Sequence, residues 1–210
     1  NGSNIVVKNC NISGYKYGIG INGSTNVEIV NNSIYFTQVA IGGESVKDSH
    51  IHDNHAEMSS LSAYSLASGS SNNLIENNTA LNNFLGIAVE TSDYNHLKDN
   101  NIMNSAWSFS YIGGIAIFTN SNNNFVENNT VDNTLFGVGV ADVGQFMLGQ
   151  TAGISGMWNN FSGNSVSNAL LYSYGLLYPY PLDYFNYFDE SNTADGEPIH
   201  YYVNIHGTPS

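Results

Sequence analysis

Arginine is absent, and Lys8, Lys16, Lys47 and Lys98 are the only basic residues against 17 acidic ones, a formal net charge of −13 over 210 residues. Such a surface repels phosphate backbones, which argues against nucleic acid as a partner. It also disfavours anionic polysaccharides unless calcium bridges the two. A single cysteine, Cys10, rules out an internal disulfide. No run of about 18 apolar residues occurs, so no segment reads as a membrane-spanning helix. An apolar stripe at the 3.6-residue helical period is missing as well. The chain opens at "NGSNIVV" without Met, and a signal peptide or further repeats upstream are expected to have been removed.

Asparagine is what the chain has in quantity, and it recurs in phrases. "NNLIENNTALNN" starts at Asn72 and "NNFVENNTVDN" at Asn123, with a weaker copy, "NHLKDNNIMN", starting at Asn95. Aligned on the second Asn of each pair, the register extends to a column of Cys10, Asn32, Asn54, Asn78, Asn100, Asn129 and Asn164, spaced 22, 22, 24, 22, 29 and 35 residues apart. Three residues before it stand Val7, Ile29, Ile51, Ile75, Leu97, Val126 and Phe161. Two after it stand Ile12, Ile34, Ala56, Ala80, Ile102, Val131 and Val166. Both flanking columns are apolar throughout. A third apolar run, such as "GIGI" or "GIAV", follows about nine residues on.

A period near 22 with short β-branched segments means that each repeat is one rung of a solenoid, which buries its apolar face only by stacking on its neighbours. The expected fold is all-β: a right-handed parallel β-helix of about seven rungs over residues 1–168, with residues 169–210 forming an aromatic cap and terminal β segment of the same domain. The anchor asparagines Asn32, Asn54, Asn78, Asn100, Asn129 and Asn164 are expected to sit at a sharp corner, in the left-handed conformation, bonded to one another as a ladder. Cys10 at the same position reads as a buried thiol.

The pattern N-x-I-x-x-N-x-(I/V), followed by G-(I/V) and S-x-x-N, resembles the parallel β-helix repeats of the NosD-like and carbohydrate-binding/sugar-hydrolase (CASH) group, best known in archaeal surface proteins. "ESNTADGEPIHYYVN" resembles a segment that closes such arrays, with a turn at Asp195-Gly196. The resemblance implies the architecture; activity must be read from a site.

Several sites are candidates. His50 and His52 alternate onto one face of a strand and Glu28 lies one rung below His50, so the three could hold a divalent metal; a link of NosD-like proteins to copper delivery is what the resemblance adds. No other cofactor is implied. Outward and two residues before the anchor, His52, Glu76, Lys98 and Glu127 stack as a ladder of charged groups. A glycoside hydrolase would need two carboxylates about 5–9.5 Å apart; Glu76 and Glu127 are two rungs apart with a lysine between, and no catalytic residue is assigned. Thirteen extra residues enter around Asp142 to Met157. Tyr172, Tyr174, Tyr178, Tyr180, Tyr184, Phe185, Tyr187 and Phe188 then crowd one segment, suited to capping, to docking another subunit or to sugar stacking. Of seven Asn-x-Ser/Thr sequons, those at Asn31, Asn77 and Asn128 share one outward column and are candidate N-glycosylation sites. The first rung shows no cap of its own.

Taken together, these features are read as an extracellular, cell-surface structural or adhesive module that self-associates into a homo-oligomer, filament or sheath, with glycans as further partners. The alternative is a carbohydrate-binding or polysaccharide-cleaving domain, and the third reading a NosD-like metal-handling protein.

Overall fold

Every described strand is short, and successive ones turn a corner and enter a different sheet. The computed structural model describes residues 2–104, 114–118, 120–141, 157–169, 172–177 and 186–200. Among these, three sheets of eight, nine and seven strands run along the solenoid, each strand but the last of the second sheet pairing in parallel with its equivalent one rung away. The first sheet runs from Ser3–Lys8 through Thr25–Val30, His50–His52, Leu74–Glu76, His96–Lys98, Phe125–Glu127 and Asn160–Ser162 to Tyr187–Phe188. The second starts at Asn11–Ser13, and the third runs from Tyr17–Asn22 to Tyr172–Leu177. The third sheet has seven strands, the last of them, Tyr172–Leu177, past residue 168, close to the expected count of about seven rungs. No helix forms among the described residues.

The core is built from the columns seen in the sequence. Ile29, Ile51, Ile75, Leu97, Val126 and Phe161 stack in the first sheet at 0–1% exposure, and Ile34, Ala56, Ala80, Ile102, Val131 and Val166 in the second at 0%. In the third sheet Ile19, Ile41, Tyr64, Ile87, Ile115 and Val138 pair in one line. Tyr64 is wholly buried, its hydroxyl proton shared between the carbonyls of Asn54 and Thr79, 2.9 Å from each, and burial pushes its pKa well up.

Asparagine holds the corner between the first and second sheets. Each anchor side-chain NH₂ donates to the carbonyl oxygen of the next anchor: Asn32 to Asn54 (2.9 Å), Asn54 to Asn78 (3.0 Å), Asn78 to Asn100 (3.1 Å), Asn100 to Asn129 (2.9 Å) and Asn129 to Asn164 (2.9 Å). The left-handed residue, however, is the one before the anchor: Asn31, Asp53, Asn77, Asp99 and Asn128 have φ of 51–55°. The division is physical, since an exposed Asn or Asp tolerates that conformation while the anchor needs its amide aimed inward along the axis. A second ladder, Asn73, Asn95, Asn124, Asn159 and Asn186, runs along the corner between the third and first sheets. Its signal was in the sequence: four of the five stand five residues before an anchor. Cys10 is half-buried rather than buried; its backbone N–H donates to Asn32 Oδ1 (2.9 Å) and its thiol to the Lys8 carbonyl (3.4 Å).

The rungs also continue past residue 168. Tyr172–Leu177, Tyr187–Phe188 and Thr193–Ala194 extend the third, first and second sheets, and Asn192 accepts from Asn164 at 2.8 Å as one more rung of the ladder. Thr193–Ala194 then pairs antiparallel with Glu197–Pro198 through Asp195 and Gly196, both at positive φ, as the Asp-Gly pair requires.

Candidate functional site

On a strand whose middle residue points into the core, the two flanking side chains share the outer face. The strands of the first sheet therefore place Glu28 and Val30, His50 and His52, Leu74 and Glu76, His96 and Lys98, and Phe125 and Glu127 on five successive rungs of one exposed surface. The pairing the register implies is straight, Glu28 beside His50 and His52 beside Glu76, but the contacts are diagonal. Glu28 Oε1 reaches His52 Nε2 (3.2 Å) and Glu76 Oε2 reaches His50 Nε2 (3.2 Å). Between them the two imidazoles stack, with centroids 4.0 Å apart and planes 28° from parallel.

The two histidines differ in what surrounds their second nitrogen. His52 Nδ1 lies 2.7 Å from Asp53 Oδ2, so both its nitrogens face carboxylates, whereas His50 Nδ1 has no hydrogen-bond partner among the described residues. Burial and the neighbouring His52 hold the His50 pKa below the ordinary histidine value, outweighing Glu76. For His52 burial is again the largest influence and lowers the pKa, but the hydrogen bonds and charges of Asp53 and Glu28 together outweigh it and raise it. The His52 hydrogen bond in turn draws Asp53 down. Glu76 also spans the rungs, its other oxygen 3.5 Å from Lys98 Nζ, which lies 3.3 Å from Asp99 and is held above its ordinary pKa by Asp99 and then Glu76. His96 Nε2 meets Glu127 at 2.9 Å, and its ring packs edge-on against Phe125.

The trio His50, His52 and Glu28 does not converge on one point. Stacked rings turn their nitrogens to separate carboxylates, and among the described residues no group of three His, Cys, Asp or Glu is arranged to hold a metal ion. The charged column His52, Glu76, Lys98 and Glu127 stands where the sequence put it, but sequence reasoning missed that its ion pairs run through the adjacent column. A two-residue spacing of His50 and His52 was the available signal.

The aromatic group separates. Phe188 is core, 5% exposed and stacked on Phe161 with centroids 4.2 Å apart, which removes it from any interface or sugar platform. Tyr187 points outward at 61% exposure. Tyr172 and Tyr174 pair by backbone with Phe136 and Val138. Tyr178, Tyr180, Tyr184 and Phe185 lie outside the described residues, as does nearly all of the Asp142 to Met157 insertion. Asn31, Asn77 and Asn128 are exposed, Asn31 donating to Asn9 (2.8 Å) and Asn77 to the Asp53 carboxylate.

The sequence profile described as "Right handed beta helix region" matches residues 1–168. The chain belongs to this β-helix family. The β-helix is similar in architecture to the mannuronan C-5 epimerase AlgE4 A-module of Azotobacter vinelandii (TM-score 0.56, 13% identity, 99% of this chain and 64% of that one). It is also similar to an alginate lyase of Paenibacillus sp. (TM-score 0.57, 14% identity, 91% of each chain) and to a DFA-IIIase of Arthrobacter chlorophenolicus (TM-score 0.58, 12% identity, 97% of this chain and 59% of that one). The β-helix thus spans less than two thirds of the length of the epimerase module and of the DFA-IIIase. At these identities the likeness is one of fold. No curated protein matches the β-helix.

Proposed function

We propose that this β-helix is a carbohydrate-acting module of the CASH type, working at a cell surface on a neutral saccharide laid across the histidine face of its first sheet. The stacked His50–His52 pair, closed at its two ends by Glu76 and Glu28, carries the reading. A pair of like groups whose surroundings drive their proton affinities apart is the arrangement that acid–base chemistry needs. His50, with its free Nδ1 and a side chain 38% exposed, is the proton acceptor; His52, with both nitrogens facing carboxylates that favour its protonated form, is the positive counter-charge beside it. Glu76 orients His50 and fixes Lys98 beside it. Five carboxylates surround these groups, which favours neutral sugars over uronates.

Two of the similar solved structures are named for acting on mannuronan and alginate, which supports a polysaccharide as the substrate class. They favour this reading over the structural, self-associating one, to which no observation here is specific.

The test is release or rearrangement of glycosidic linkages by the purified chain on xylan, mannan, β-glucan and fructan, with alginate as the anionic arm. Turnover of a neutral polymer is expected, and His50→Ala should reduce kcat about 10²–10⁴-fold. Turnover that survives His50→Ala undiminished would remove the assignment; so would activity on alginate alone.

A further inference from the structure

On a different sheet a cleft of about 390 Å³ lies over the outer face of the first rungs, within the range of small-ligand sites. Its floor is formed by Gly20, Gly42 and Ser65, which pair in one line across three strands. Glycine inside a strand weakens it and is found where something else approaches the backbone closely. Gly20 shows this most directly. A Cβ there would have only Tyr17 Cβ within 4 Å, at 3.8 Å, and its φ is not in the left-handed region, so neither packing nor conformation calls for glycine. What its missing side chain provides is room. One rung on from Ser65, the same line continues as Ala88 and Ala116 and enters a small apolar cluster with Leu85, Phe118 and Phe136.

The walls carry the chemistry. Glu28, Glu57, Glu76 and Glu127 are all ion-paired to histidine or lysine, but Glu44 and Glu90, which line the cleft, have no partner among the described residues. Glu44 pairs with Ala67, and Glu90 follows Val89, the partner of Leu66, so the two carboxylates stand two rungs apart with a small side chain between them. That places their backbones roughly 10 Å apart along the axis, a spacing suited to accepting from hydroxyls on successive sugar units. Tyr17 closes one end, 46% exposed, with its ring beside Gly42 and the Lys16 ammonium over the ring at 5.6 Å from the centroid. The lining contains two carboxylates, an amide, hydroxyls and an aromatic ring beside apolar Val39, Leu61 and Ala67, and the one ammonium near it, that of Lys16, lies over the Tyr17 ring. Such a set accepts hydroxyls and rejects carboxylated or phosphorylated sugars.

We propose that this cleft is a binding site for a neutral saccharide chain, separate from the histidine face. The inference shares its substrate class with the proposed function but not its residues, and each fails on its own terms. The experiment is an NMR titration of the ¹⁵N-labelled chain with neutral oligosaccharides of xylose, mannose, glucose and fructose, and with alginate oligomers as the anionic control. Shifts of the Gly20, Gly42 and Gly43 amides with a neutral oligosaccharide are expected. Gly20→Phe, which fills the floor without backbone strain, should weaken binding about tenfold or more, and Glu44→Gln with Glu90→Gln, which changes no volume, should weaken it by a similar factor. His50→Ala should leave cleft binding unchanged. The inference is overturned if no oligosaccharide moves the cleft amides, if alginate moves them as strongly as a neutral sugar, or if folded Gly20→Phe binds undiminished. Shifts confined to His50 and His52 would overturn it while leaving the proposed function standing.

Discussion

Asn78 shows how much one residue carries here. Its NH₂ donates to the carbonyls of Ile51 and Glu76 (2.9 Å each) and to Asn100 Oδ1 (3.1 Å), while its own oxygen accepts from the backbone N–H and the side chain of Asn54 (3.0 Å each). Asn78 is 1% exposed, so Asn78→Ala strands several polar groups at once and is expected to cost about 3 kcal/mol in chemical denaturation. The histidine face makes a prediction of a different kind. His50 must be neutral and His52 charged, and the two are displaced below and above the ordinary value of 6.5, so kcat should follow a bell that brackets pH 6.5. For stability the sign differs between the two. His52, raised in the folded state, contributes fully below 6.5 and loses that contribution as pH climbs through its folded value. His52→Gln should therefore lower Tm more at pH 5.5 than at pH 8.5, and an equal loss at both would disprove the pairing.

At the level of the strand, three residues suffice because the ladder partner on each side supplies what length would otherwise provide. Phe161 is wholly buried in such a strand and stacked in parallel on Phe188. Phe161→Ala is expected to cost about 3–5 kcal/mol. Because contacts in a solenoid reach only the neighbouring rungs, the loss should appear in hydrogen exchange as early opening of residues 186–200, with the Ile29 to Ile75 rungs unchanged. Strand position, register and inward columns were all legible in the sequence, since a repeat states each rung several times and chance agreement across seven copies is small. The diagonal ion pairs were not, because a Cα register fixes which residues are neighbours and leaves open which side chains reach across it. Nor was the cleft: it is made by what Gly20 and Gly42 omit, and a column of small residues carries no chemical label. The rung strands past residue 168 were not legible for a third reason, that aromatic crowding around Phe188 hid a core position and a further pair of ladder asparagines.

Over the whole molecule, 17 acidic residues stand against four lysines, and self-repulsion destabilises a compact chain of this charge. Raising NaCl from about 0.01 to 0.15 M, which shortens the screening length from about 30 to about 8 Å, is expected to raise Tm, and a flat or falling Tm would show that the surface pairs outweigh the repulsion. The asparagine ladders have a further consequence. In both of them every bond between asparagine side chains runs the same way, its NH₂ on the N-terminal rung and its accepting oxygen on the next rung toward the C-terminus. The molecule is therefore threaded like a screw, with a sense of advance that its sheets alone do not impose. Any rung spliced into it must be wound the same way, since a reversed one would set acceptor against acceptor at two corners at once.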